Sequence, residues 1–275
     1  MRACRCFLAV VGLSLVSSVA WAGGWTQEEG AYYAKVWGRA LVGENGYFAD
    51  RESRTLADPF TDLSLGVYGE YGLTPGWTLL ATGAPVGYAS AGEGSALYVG
   101  PLVGGVRRAI LTGDVRLAVE GRYGFAPGVG DKVVGQGVVE GQPYVYRPAL
   151  LNHQGELELQ VGWGWGGGWL SGSAGAQASS AEGVDPAVIG SFQVGVKAWD
   201  AFVFDMQLWL REPLGDVTDT NVAGVGQTRY LGVGLGASWW FSQSWGLRLG
   251  LEGVFYAASN AAAAPLTLAI EHKGF

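Results

Sequence analysis

The chain of 275 residues carries 17 Lys+Arg against 24 Asp+Glu, a formal charge of −7, and is 49% hydrophobic with 15% charged residues, a balance that excludes intrinsic disorder. Its 47 glycines follow no every-third-residue register, which excludes collagen. An acidic chain without clustered Lys and Arg has no footprint for a nucleic-acid backbone, so no nucleic-acid partner is expected.

Residues 1–22 start with Arg2 and Arg5, continue through an apolar run from Phe7 to about Val16 and end in Ala20-Trp21-Ala22. This is the pattern of a secretory signal peptide, with cleavage expected after Ala22. The run is too short for a spanning helix, which needs about 20 apolar residues. Both cysteines, Cys4 and Cys6, fall within residues 1–22, so the expected mature domain, 23–275, has no thiol for a disulfide or a lipid anchor.

Beyond residue 22 no window approaches a helical membrane span, and the apolar residues recur with period two. Alternation predicts twelve strands, at 31–42, 61–73, 77–89, 96–110, 114–126, 154–166, 168–178, 188–199, 202–212, 227–242, 245–258 and 265–275. From Glu156 to Trp165, for example, Leu157, Leu159, Val161, Trp163 and Trp165 share one face, opposed by Glu156, Glu158, Gln160, Gly162 and Gly164. The connections alternate between tight (around 74–76, 111–113, 166–168, 200–201 and 243–244) and long (near 43–60, 127–153, 179–187 and 213–226). Those near 90–95 and 259–264 are intermediate.

An even number of antiparallel strands with short turns at one end and long loops at the other predicts an all-β, transmembrane, up-and-down β-barrel of about 12 strands. A soluble β-sandwich also alternates, but the apolar face here carries large aromatics near strand ends (Trp163, Trp165, Trp239, Phe241, Trp245, Tyr71), as interfacial girdles do. The chain ends in Phe275 after the strand-like Leu266–Gly274. A terminal aromatic on the last strand is similar to the signal read by the barrel-assembly machinery of known outer-membrane proteins, although Leu266, Leu268 and Ile270 share a parity that Phe275 does not.

The segment Gly24-Trp25-Thr26-Gln27-Glu28-Glu29-Gly30, leading directly into Ala31-Tyr32-Tyr33-Ala34-Lys35, resembles the mature start of outer-membrane proteins related to the phenol-degradation MetA-pathway group. The resemblance covers about fifteen residues. It implies a transporter-like barrel in the bacterial outer membrane and carries no binding residues with it.

Lys or Arg facing lipid at mid-membrane costs roughly 2–4 kcal/mol, so the charged parity is expected inside. That places Lys35, Arg39, Glu70, Arg116, Glu120, Arg122, Glu156, Glu158, Lys197, Asp205, Arg211, Arg248 and Glu252 on the lumen as candidate lining residues, with Glu271 and Lys273 on the last strand. Two arrangements are open: a salt-bridge ladder, or cationic and acidic rows on opposite walls of a constriction. The glycine rows Gly232, Gly234, Gly236 and Gly162, Gly164 either leave lumen volume or admit a close approach. The acidic outer connections read as solvated surface.

His153 and His272 are the only histidines, fall near opposite rims and lack the company that nucleophilic or zinc chemistry requires, so no enzyme, cofactor or metal is expected. The function expected is a channel or transporter for passive passage of small molecules of unknown identity, with outer-membrane lipids around it. A non-transporting barrel acting through its outer loops is the alternative, and a lipid-modifying enzyme a more distant one.

Overall fold

The computed structural model describes residues 25–274, so the expected signal peptide and Phe275 lie outside the described residues. Among these it contains only strands: β1 (Tyr32–Tyr47), β2 (Ser53–Thr74), β3 (Trp77–Ala91), β4 (Gly94–Tyr98), β5 (Leu102–Leu111), β6 (Val115–Ala126), β7 (Gly135–Val139), β8 (Gln142–Tyr146), β9 (Asn152–Trp165), β10 (Gly168–Ser179), β11 (Ala187–Ala198), β12 (Phe202–Pro213), β13 (Arg229–Trp240), β14 (Trp245–Ala258), β15 (Asn260–Ala261) and β16 (Leu266–Gly274). Twelve of them form one antiparallel wall, and β1 pairs with both β2 and β16 to close it. Closure is what a hydrocarbon solvent demands, because an open edge would leave backbone N–H and C=O groups without partners. The β1–β16 register runs without a shift from Ala40 opposite Leu266 to Tyr32 opposite Gly274.

Side-chain alternation sets the two faces. On β9, Leu157, Leu159, Val161 and Trp163 are exposed on the outer wall, whereas Glu158 and Gln160 are buried inside. The short-turn end, periplasmic in such barrels, is ringed by Trp163 against Trp165, Trp239 against Phe241 and Trp245 against His272. At the long-connection end His153 stacks on Phe125 and Tyr123. Both histidines therefore belong to outer-wall aromatic girdles at opposite rims.

Two predicted connections and one predicted strand differ. The 43–60 stretch is a continuation of the β1–β2 hairpin, bulged between Gly43 and Asn45 and turning at Phe48–Glu52, where Arg51 takes φ 73°. The predicted strand 96–110 is two: β4 folds back on β3, and β5 starts after Pro101, which has no N–H to continue the ladder. The 127–153 connection holds the separate β7–β8 hairpin, whose tight turn places Glu140 at φ 53° and Gly141 at φ 81°.

Leu159→Arg on the lipid face is expected to cost roughly 2–4 kcal/mol of stability in urea titrations of the lipid-embedded barrel. Leu214→Arg, on an outer connection where Leu214 is exposed, should be close to neutral in the same titration.

Candidate functional site: the charged lumen

Directly opposed residues on neighbouring strands build the lumen ladder. Arg107 on β5 faces Glu120 on β6, and Arg122 on β6 faces Glu156 on β9. Arg107 is 2% exposed; its Nε donates to Glu120 at 2.6 Å and its Nη1 to Glu70 at 3.0 Å. Arg122 pairs with Glu120 and also reaches Glu158 at 3.1 Å and Glu156 at 3.2 Å. Glu120 and Glu158 face each other across β6 and β9, a like-charge pairing that the two flanking guanidinium groups neutralise. On the far side of the bore Arg248 forks onto Asp205 at 2.5 and 2.7 Å. Gly236 permits this, since a Cβ there would fall 1.9 Å from the Arg248 guanidinium. Trp209 likewise lies over Gly232 and Gly234, so this glycine row is a place of close approach and not empty volume.

The thirteen candidates occupy three levels of the barrel. At the centre Lys35, Glu70, Arg122, Glu158 and Arg248 line a cavity of about 270 Å³, together with Tyr33, Tyr68, Arg107 and Glu271. Glu120 lies behind Arg107 and Asp205 beneath Arg248. The facing wall is uncharged, made of Ser171, Ser173, Ser191, Gln193 and Gln207 from β10, β11 and β12. Towards the outer end, Glu156 accepts from Gln177 at 2.7 Å and Gln177 accepts from Arg211 at 2.9 Å. Arg39 reaches Asp62 at 3.3 Å and shares a second cavity of about 220 Å³ with Glu252. At the short-turn rim, the Arg116 guanidinium lies 5.7 Å from the Trp25 ring centre and Lys197 is exposed. Most lumen cations and carboxylates thus pair with each other along the wall; they do not form opposed rows.

Two lumen charges were not among the candidates. Arg107 and Arg108 are adjacent, so one must face each way; Arg108 lies outward near the short-turn rim, where it stacks over Trp77 at 5.0 Å, leaving Arg107 inside. Asp62, close to the predicted start of β2, is buried and accepts from the Tyr98 hydroxyl at 2.9 Å. The parity of Leu63 and Leu65 was the signal that could have placed it.

The segment preceding β1 enters the short-turn mouth. Trp25 is buried against Trp169, Val203 and Trp240, and its carbonyl accepts from Arg107 Nη1 at 2.7 Å. The Gln27 backbone N–H donates to Thr78 at 2.8 Å and its side-chain amide donates to Glu70 at 2.7 Å. A Cβ at Gly72 would fall 1.8 Å from the Glu28 carbonyl oxygen, so only glycine admits the segment. At the other end the outer connections have their own apolar core, with Phe48, Phe60, Tyr98, Tyr144, Tyr146 and Val222. Above it the Arg54 guanidinium holds the Asp50 carboxyl well below the usual carboxylate range. A depressed carboxyl contributes stability above its unfolded pKa, and this clamp is lost only as pH falls below that range.

The His153 ring meets the Tyr123 hydroxyl at 2.5 Å, while Ser180 meets only the His153 backbone, its Oγ accepting from the N–H and its own N–H donating to the carbonyl, both at 2.9 Å. No cluster of metal-ligating side chains occurs among the described residues.

No protein-family model and no curated protein matches the sequence. Among solved structures, an outer membrane channel from Pseudomonas putida F1 is similar at TM-score 0.66 and 11% identity, over 94% of this chain and 100% of that one. The KdgM porin aligns at TM-score 0.49 and 6% identity, over 88% of this chain and 99% of that one. The CymD monoaromatic hydrocarbon channel aligns at TM-score 0.47 and 9% identity, over 90% and 88%. The first of these shows that the fold is that of an outer-membrane barrel.

Arg107→Met would strand Glu70 and Glu120 in the wall without their shared cation. A loss of about 3–5 kcal/mol in urea unfolding is expected, as for any buried ion pair deprived of one partner.

Proposed function

We propose that the protein is a passive outer-membrane channel for small polar molecules. The observation that carries this reading is the central cavity lined by polar side chains, with a charged ladder on one wall and serine and glutamine side chains on the other. A purely structural barrel has no need of the hydroxyl-lined wall, whereas a solute exchanging its water shell does. The size of the cavity suits a solute displacing about nine waters at ~30 Å³ each. Similarity to the Pseudomonas putida F1 outer membrane channel is in keeping with this reading.

The reading is non-enzymatic: the lumen groups act as fixed charges and hydrogen-bond partners. Lumen lining by the thirteen charged candidates, export through residues 1–22 with cleavage after Ala22, and engagement of the barrel-assembly machinery through Phe275 belong to the same proposal. One observation favours the non-transporting alternative, namely that Trp25 and its tryptophan neighbours fill the short-turn mouth. In the channel reading this segment is a movable stopper.

Single-channel recording of the refolded chain 23–275 in a planar bilayer distinguishes the two. Small, discrete conductance steps are expected, and they should grow when residues 23–29 are deleted or Trp25 is changed to Ala. A folded, heat-modifiable barrel that passes no current with or without this segment would defeat the channel reading.

A further inference from the structure

We propose that the central cavity is a binding site for a small zwitterion, which places its ammonium group on Glu271 and its acid group on Lys35. The inference rests on the channel reading and specifies its solute class.

Within this cavity Arg107 is matched by Glu70 and Glu120, Arg122 by Glu120, Glu156 and Glu158, and Arg248 by Asp205. Lys35 and Glu271 also line the cavity, and neither comes within 4 Å of an opposite charge among the described residues, although Lys35 and Arg248 both attract Glu271 through space. They are direct register partners on β1 and β16, so their side chains leave neighbouring points of the wall. Yet the Lys35 ammonium lies 4.8 Å from the Trp37 ring centre. Glu271 is 1% exposed; its Oε1 accepts the Tyr33 hydroxyl at 2.8 Å and its Oε2 is buried without a partner.

A buried acceptor without a donor is unfavourable, and more so when it is charged. A simple cation could satisfy Glu271 but would be repelled by Lys35, and a simple anion meets the reverse conflict. A neutral polyol matches neither charge. A molecule carrying both charges a few ångströms apart matches both at once, and the cavity has room for one of amino-acid size. The facing Ser191, Gln193 and Gln207 supply uncharged hydrogen-bond partners for the rest of the solute without competing for either charge.

The test is block of the single-channel ion current by alanine compared with three analogues of its size: neutral lactamide, anionic lactate and cationic alaninamide. Alanine should block at a several-fold lower concentration than any of the three. Lys35→Met and Glu271→Gln should each abolish that preference, and the exchanged pair Lys35→Glu with Glu271→Lys should restore it, with heat-modifiability confirming that each variant folds. Current that alanine blocks no better than lactamide would overturn the inference and leave the channel intact, and would mean that Lys35 itself turns to pair with Glu271. Absence of current in every preparation would defeat the channel reading. Calorimetric titration of alanine into the detergent-folded chain then decides the site alone, with binding lost in Lys35→Met supporting it and no binding overturning it.

Discussion

The buried Arg107 is the hinge of the whole interior. Its guanidinium joins Glu120 and Glu70, and through them Arg122, Glu156 and Glu158, while the same group holds the Trp25 carbonyl of the segment in the short-turn mouth. One side chain thus ties the wall, the ladder and the stopper together. An ion pair away from water returns its desolvation cost only where its donors and acceptors are met, and Arg107 sets Nε on Glu120 and Nη1 on both Glu70 and the Trp25 carbonyl. The segment is therefore anchored by the same charge balance that makes the ladder tolerable.

That ladder divides the bore into two unlike walls. Charges are concentrated on β2, β5, β6 and β9, and again where Arg248 meets Asp205, while β10 and β11 contribute small hydroxyl and amide side chains. In the channel reading, a solute between them would meet fixed charges on one side and exchangeable hydrogen bonds on the other, in place of its hydration shell. The ends obey different chemistry. Indoles close the short-turn mouth, and an apolar core of aromatic loop residues rigidifies the outer rim.

The barrel was legible because period-two alternation must persist wherever one face meets lipid, and the runs at 154–166, 202–212 and 245–258 carry it with little interruption. What the alternation could not reveal was strand length outside the membrane, where neither face needs to be apolar. The hairpin extension at 43–60 and the β7–β8 hairpin fall there. Parity also failed at Arg107-Arg108, where two charges in succession hide which one points inward, although their nearness to the tight turn at 111–113 favoured an outward, interfacial Arg108. Pairing choices were beyond it altogether. That Arg122 takes three carboxylates while Lys35 takes none depends on strand register, which no single strand records.

In the channel reading the middle of the barrel is a water-filled, solute-accessible space. Because no cysteine occurs between residues 25 and 274, a lone cysteine can report on it. The most direct measurement is the reaction of Ser191→Cys, in the membrane-embedded barrel, with a small water-soluble ammonium thiosulfonate, using Leu214→Cys on an outer connection as the exposed reference. The account predicts that the lumen thiol is modified to completion, more slowly than the reference. A Ser191→Cys thiol that stays unmodified while the Leu214→Cys thiol reacts would show a dry, filled interior and contradict the channel.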